Sequence, residues 1–461
     1  MIRLRSLTLD DARNTRHGTV AFRDLASGAS VTGLYGQNGS GKTTVIDAIR
    51  ILRNLMAGRP AGPEAVGFIR QGSGTARIAA VLDVDGAAVE YTAALERADG
   101  TDGARVAGER LERTPAGGRR RLLMEHTLAA ADRMGLRPWR TLPHVRWRSL
   151  RSVGSADALL SAEETLAHAE GRSFILSPAV ARTLADVASA VAAMPDASRS
   201  RRDAADGTLA PLTALTARLG AWARDDVRVV TTRTGSSVSF DYAPLGAGGE
   251  RGDVLDISRP VRIPADLAPA VRRMAAQADT VMPALVPGLH VAADMRDVTL
   301  ADGTAGVEVF LRSVRDDVSI PLWAESEGVR RIMGILSLLV RMFNEEDALV
   351  AIDEIDAGVF EILLGDLLAT LAGRGVGQLV FTAHDLRVLE ALGPESIVFS
   401  TTDPSDRFTA LRARDTNNLR SMYIRAVKLA DHGGVMADRV DRSAIAMALY
   451  DAGGAGDDDG E

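Results

Sequence analysis

The sequence predicts an α/β fold: a mixed sheet with flanking helices around a phosphate-binding loop, and a mainly helical insertion. Three observations predict it. The segment Gly36-Gln37-Asn38-Gly39-Ser40-Gly41-Lys42-Thr43 fits the whole GxxxxGK[ST] pattern. The apolar run 348–352 ends in Asp353-Glu354, as in a buried strand whose carboxyl end enters a site. With 461 residues, 46% of them hydrophobic, the chain can fill more than one core, and the two motifs lie farther apart than a compact nucleotide domain requires.

Composition narrows the chemistry. The absence of cysteine excludes a disulfide framework, a cysteine nucleophile and any cysteine-based zinc or iron–sulfur site. The seven histidines never fall at i, i+3 or i, i+4, which argues against a histidine metal site. The first residues are charged and lack an apolar signal core, and the longest mostly apolar stretch, 332–340, is about half of a bilayer span. A cytoplasmic protein without membrane association is expected. A net charge of −7 excludes a generally basic nucleic-acid binder, so any DNA contact would be local. Of 54 basic residues only Lys42 and Lys428 are lysines. Where arginine is the default cation, a lysine points to a position that needs a compact ammonium.

Taken in order, residues 1–126 read as a first lobe. Met1 to Leu9 is a strand, followed by a second near 18–22. Residues 31–35 form a short strand, then the glycine loop, then a helix with apolar period over 44–52. Strand, loop and helix suit phosphate binding, because glycines turn backbone N–H groups inward and the helix dipole favours an anion. Gly36, Gln37, Asn38, Gly39, Ser40, Gly41, Lys42, Thr43 and Thr44 are the candidate nucleotide-binding residues. Lys42 would reach the β- and γ-phosphates and the Thr43 hydroxyl would ligate Mg²⁺. Phe68-Ile69-Arg70-Gln71-Gly72 leads into a strand at 76–84.

Residues 127–285 read as an insertion with helices at 174–194 and 209–222, strands at 226–230 and 237–240, and loops at 195–207 and 246–252. No heptad pattern persists long enough for a coiled-coil arm. Residues 286–450 form the second lobe. There Glu325-Ser326-Glu327-Gly328-Val329 opens an apolar helix; Ser326 either caps it or, with the exposed N–H groups, meets an anion. Asp353 would hold Mg²⁺ through its water shell, and Glu354 would orient or deprotonate the attacking water. Residues 378–385 read as a strand ending in His384, which can hydrogen-bond a γ-phosphate oxygen or the lytic water. The Gly/Asp-rich tail 451–461 is expected to be disordered.

This order of motifs resembles the ABC-type P-loop ATPases. It is most similar to the RecF/SMC-like branch and its prokaryotic defence relatives, the OLD-like ATPases and the AbiLi/RloA and AriA types. The resemblance covers about residues 1–125 and 290–402. It implies an ABC-type head with an N-terminal antiparallel β-subdomain, opened by the strands at 1–9 and 18–22, and an ATPase that uses ATP and Mg²⁺ and binds nucleotide between two chains, head to tail, in a homodimer or higher even-numbered oligomer. Lys42, Thr43, Asp353, Glu354 and His384 of one chain would face Ser326 and Gly328 of the other, and Asp356 matches the loop that links the two sites. The sequence departs from the family at the signature, Glu-Ser-Glu-Gly-Val rather than Leu-Ser-Gly-Gly-Gln; Glu327 there resembles the defence types. Of four glutamines, Gln71 is the nearest candidate for the family's glutamine loop.

The resemblance suggests an ATPase that regulates a separately encoded effector, a nuclease or toxin, in anti-phage defence; the alternative is a DNA-binding RecF/SMC-like genome-maintenance ATPase. From Arg119 to Arg151 nine arginines and two tryptophans, Trp139 and Trp147, form a stripe that suits DNA, a protein partner or a solvated face. A built-in nuclease of the Toprim type would have only 77 residues after His384. The insertion, the altered signature and the N-terminal hairpin argue against a transporter subunit. The intact Asp353-Glu354 pair and His384 argue against a non-catalytic ATP-binding scaffold.

Overall fold

The computed structural model describes residues 1–98, 103–129, 138–195, 198–231, 242–244, 254–410 and 419–429, together with Ser443, Ile445, Met447 and Ala448. The expected strand 237–240, the loop 246–252, the tail 451–461, and Arg133 and Arg137 lie outside them.

Along the chain, strands β1 (Ile2–Ala12) and β2 (Thr15–Ala21) form the N-terminal hairpin. Strand β3 (Ser30–Tyr35) runs through the glycine loop into α1 (Lys42–Met56), followed by α2 (Ala65–Phe68). Then come β4 (Thr75–Val84), β5 (Ala87–Arg97), β6 (Ala104–Thr114), β7 (Arg121–Leu128) and β8 (Trp139–Leu142). Helices α3 (His144–Arg151), α4 (Ala156–Glu170), α5 (Pro178–Ala193), α6 (Arg199–Ala204) and α7 (Ala210–Asp225) lead to β9 (Val227–Val230). Short strands β10 (Tyr242–Pro244), β11 (Val254–Asp256) and β12 (Val261–Pro264) precede α8 (Ala268–Leu285). The last part holds β13 (His290–Thr299), β14 (Ala305–Arg315), β15 (Val318–Pro321), α9 (Glu327–Asn344), β16 (Leu349–Ile352) and α10 (Glu361–Arg374). It ends with β17 (Gln378–Thr382), α11 (Val388–Ala391), β18 (Ile397–Ser400), β19 (Phe408–Thr409) and α12 (Leu419–Leu429).

Two large sheets dominate. The first is antiparallel throughout, in the order β2-β1-β4-β5-β6-β7-β8. Its strands bury alternate residues, as β4 does with Ala76, Ile78, Ala80, Leu82 and Val84, because one face packs and the other is more open to water. The second has the order β19-β18-β3-β17-β16-β9 and is parallel apart from β19. Its central strands β3, β16, β17 and β18 are buried at every residue, the result of helices on both faces and the reason they read as unbroken apolar runs. The architecture is the mixed α/β head with an N-terminal antiparallel β-subdomain that the sequence predicts. Among the described residues no helix is long and apolar enough to cross a membrane.

The insertion does not stand apart as 127–285 suggested. Strand β9 pairs in parallel with β16, from Val227 beside Leu349 to Val230 beside Ile352, and so belongs to the phosphate-loop sheet. Strands β7 and β8 carry the antiparallel sheet past residue 126. Helices α4, α5 and α7 bury Leu160, Val180, Leu184, Leu212 and Leu219 in one core with Ile46, Ile49 and Leu52 of α1. Each such side chain contributes roughly 1.5–3 kcal/mol by leaving water. Helix α8 and strand β12 instead share a core with β14 and α9. The expected loop 195–207 contains a helix: the Ser198 hydroxyl accepts the Arg201 N–H at 3.2 Å and opens α6, and a π turn follows over Ala205–Leu209. The helix expected from 174 starts at Pro178, where the Ser177 hydroxyl accepts the Ala179 N–H at 3.1 Å.

One buried histidine sits where the insertion meets the antiparallel sheet. His126 is 1% exposed and stacks on Trp139 and Phe174, with ring centroids 4.3 Å and 4.1 Å away. Burial, helped by the charges of Arg151 and His168, pushes its pKa down to about 3. The neutral ring is the form the fold holds. Its stabilising effect is complete above the unfolded pKa near 6.5 and is lost as pH falls toward 3. From pH 6.5 to 5 the loss is about 2 kcal/mol for this one group. His126→Phe keeps a stacked ring without the proton, so the difference in urea midpoint between neutral pH and pH 5 should be smaller in the variant than in the parent.

Candidate nucleotide site

The glycine loop joins β3 to α1 and is shaped by close approach. Gly36 has φ 150°, and a Cβ there would collide with Ser400 on the neighbouring strand β18. The Ser400 hydroxyl donates to Tyr35 O at 3.0 Å and also meets the Ser40 hydroxyl, which bonds Gln37 O at 2.6 Å. These bonds hold Gly36, Gln37 and Ser40 as the frame of the loop. Asn38, Gly39, Gly41, Lys42, Thr43 and Thr44 line an open cleft of about 660 Å³.

Lys42 opens α1 and is buried. Its ammonium donates to Gly36 O at 2.7 Å and Gln37 O at 3.1 Å. Burial lowers its pKa, against the opposing charges of Asp353, Asp356 and Glu354. An ammonium buried on two backbone carbonyls is a cation awaiting a stronger acceptor, and a phosphate oxygen is one.

The two lobes of the sequence meet here. Asp353 follows β16 and is 2% exposed. Its Oδ1 accepts the Thr43 hydroxyl at 3.3 Å and the Thr382 hydroxyl at 2.6 Å. Thr43 and Asp353 thus offer hard oxygens side by side, a donor set that suits Mg²⁺ and none of the softer metals. Glu354 and His384 line the same cleft. Glu354 has a left-handed backbone, φ 50°, unusual for a non-glycine residue and costly unless the surroundings fix it. Its N–H donates to the Thr382 hydroxyl at 2.7 Å, and its carbonyl accepts from Arg331 at 3.0 Å. Asp356 stands one turn further on, where its Oδ2 accepts the N–H groups of His384 and Asp385, both at 2.7 Å. It therefore ties the loop after β16 to the loop after β17.

Ser326 and Gly328 do not line this cleft. Ser326 is exposed and caps α9, accepting the Val329 N–H at 3.4 Å. Gly328 packs on the loop after Asp356, where a Cβ would come within 2.5 Å of Gly358 O. Gln71 lies in the turn before β4 and lines a neighbouring groove with Arg70 and Arg97, not the phosphate cleft.

Four side chains of the site escaped the sequence reading. Thr382 bridges Asp353 and Glu354; its signal was a hydroxyl at the end of the strand that leads to His384. Arg13 and Asn14, in the β1–β2 turn, line the cleft; Arg13 pairs with Asp47 of α1 at 2.6 Å and Asn14 donates to Gly39 O. Arg331, on the buried side of α9, donates to Asp353 O and Glu354 O, both at 3.0 Å. Burial lowers its pKa, with Glu354, Asp353 and Asp356 opposing. It holds the backbone of both acids, so it is a positioning residue. Arg331→Met should lower turnover on the order of 10–10²-fold by freeing the Glu354 backbone, while nucleotide affinity stays near the parent's. Steady-state kinetics beside equilibrium dialysis separate the two effects.

Residues 31–121 match the family described as "AAA domain, putative AbiEii toxin, Type IV TA system". The matched stretch takes in the glycine loop and α1, and so the cleft residues from Asn38 to Thr44. No curated protein matches the chain. Among solved structures, the chain is similar to the Smc head domain with an extended coiled coil bound to the C-terminal domain of ScpA from Pyrococcus furiosus, at 12% identity over 89% of this chain and 96% of that one, TM-score 0.38. It is similar to the SMC head domain from Thermotoga maritima, at 15% identity over 89% and 100%, TM-score 0.34. It is similar as well to the Smc head domain with a coiled coil and joint from Pyrococcus yayanosii, at 12% identity over 93% and 100%, TM-score 0.43.

Proposed function

We propose that this chain is a cytoplasmic ABC-type ATPase that binds and hydrolyses ATP with Mg²⁺, and whose ATP-dependent head-to-tail pairing controls a separately encoded effector in prokaryotic anti-phage defence. The observation that carries the ATPase reading is the convergence of Lys42, Thr43, Asp353, Glu354, Thr382 and His384 on one cleft. The toxin–antitoxin wording of the family matched at 31–121 agrees with the defence reading.

Within this reading the parts divide as follows. The loop N–H groups and Lys42 hold the β- and γ-phosphates. Thr43 and Asp353 would hold Mg²⁺, which would supply charge neutralisation for the phosphates when bound. Glu354 orients water and takes its proton, and His384 hydrogen-bonds the γ-phosphate or that water. Asp356 keeps His384 in register with Glu354 through the two backbone bonds. Positioning and charge stabilisation account for the catalysis, as phosphoryl transfer needs little else from a protein. Ser326 and Gly328, which lie away from their own chain's cleft, would close the cleft of a second chain.

The test is to purify tagged Glu354→Gln protein from its native host with ATP and Mg²⁺, treat it with nuclease, and identify what remains bound. A stoichiometric nuclease or toxin supports effector control. The chain alone with protected DNA fragments favours the second reading, a DNA-binding genome-maintenance ATPase, for which the arginines between Arg119 and Arg151 are the supporting feature.

A further inference from the structure

We propose that a second cavity, at the edge strand β8 of the antiparallel sheet, binds a planar heteroaromatic base carrying a phosphate: a nucleotide, either free or within a single strand. The cavity measures about 380 Å³ and lies between β8 and helices α3 and α4. Its walls include Trp139, Trp147, His144, Arg148, Arg151 and Asp157. It shares no lining residue with the phosphate-loop cleft. Pockets of ~300 Å³ and above with aromatic walls and a few polar groups are the usual form of a small-ligand site.

Three features set the chemistry. First, the indole of Trp139 is fixed in place. It stacks on His126 with planes 10° apart and meets His168 edge-on at 5.3 Å. A rigid indole on a cavity wall is a stacking platform that has little freedom left to lose on binding. Second, the two arginines differ. Arg151 is neutralised by Asp157 at 2.6 Å and Glu164 at 2.7 Å. Exposed Arg148 donates to His144 Nε2 at 3.0 Å and, among the described residues, has no carboxylate in ion-pair reach. A guanidinium bonded to an imidazole nitrogen, and not to a carboxylate, keeps its charge and its remaining N–H donors available to a phosphate. Third, Trp147, a lining residue, has its Nε1 buried without a hydrogen-bond partner among the described residues. Packed walls seldom leave such an atom unmet.

A bare phosphate would make no use of two indoles, and an apolar ligand would make no use of Arg148. A base with its phosphate uses both. Asp157, at the rim, offers an acceptor to an exocyclic amine. The site gives the tryptophans between Arg119 and Arg151 a role separate from ATP turnover and does not depend on the dimer reading.

Equilibrium dialysis of the full chain carrying Lys42→Ala, without Mg²⁺, tests this with two radiolabelled probe sets: the four ribonucleoside monophosphates and a short single-stranded oligothymidylate. Saturable binding of a monophosphate identifies a free nucleotide; saturation by the oligonucleotide alone identifies a single strand. In either case Arg148→Ala should weaken binding about tenfold or more, the usual loss for a hydrogen bond to a charged group. His144→Ala should weaken it less, and Arg148→Ala in the parent chain should leave ATP turnover unchanged. Absence of saturable binding of both probes at millimolar concentration would overturn the proposal. So would binding that survives Arg148→Ala and Trp139→Leu alike.

Discussion

Glu354→Gln should bind ATP as the parent chain does and hydrolyse it at least about 10²-fold more slowly, the usual share of a general base in such a reaction. The substitution is nearly isosteric. It leaves the backbone bonds to Thr382 and Arg331 in place, because these use the Glu354 N–H and carbonyl and not its carboxylate. What it removes is the carboxylate proposed to take the proton from water. Phosphate release in single-turnover mode, beside dialysis with ATP, reads the two quantities separately. Turnover at the parent rate would remove Glu354 from its role and move attention to His384, which lines the same cleft.

Lys42→Ala has the second large effect, and it acts one step earlier. The ammonium rests on Gly36 O and Gln37 O and is buried in the cleft floor. Its loss removes the cation proposed to meet the phosphates, so ATP affinity should fall on the order of 10²-fold, with two charge-assisted bonds lost. Pairing of chains that depends on ATP should disappear with it. Sedimentation velocity of parent and variant, with and without ATP and Mg²⁺, measures this. Undiminished pairing in the variant would show that oligomerisation uses another surface.

Much of this site was legible because its parts are contiguous in sequence. Gly36 to Thr43 carry the loop in eight successive residues, and Asp353-Glu354 end an unbroken apolar strand. Local pattern specifies both. Thr382, Arg331, Arg13 and Asn14 work through neighbours that only the tertiary fold supplies. Thr382 reaches Asp353 across two adjacent strands, and Arg331 reaches two carbonyls from an adjacent helix. Nothing in their immediate sequence distinguishes them from ordinary polar positions. The same reason explains β9. Val227 to Val230 read as a strand, but its place beside β16 is set by a pairing more than a hundred residues long in sequence. The helices α5 and α7 followed from apolar period, whereas α6 was hidden by its polar composition and is marked only by the Ser198 cap.

Under the proposed function a complete nucleotide site needs two chains. The most direct test mixes two inactive variants. Lys42→Ala lacks the phosphate lysine, and Ser326→Arg blocks the exposed end of α9 that would meet the partner's nucleotide. In a mixed pair, one of the two sites combines an intact Lys42 from one chain with an intact Ser326 from the other. ATP turnover should therefore reappear on mixing and approach half of the parent rate per pair. No recovery on mixing, or full turnover by Ser326→Arg alone, would mean that each chain works by itself.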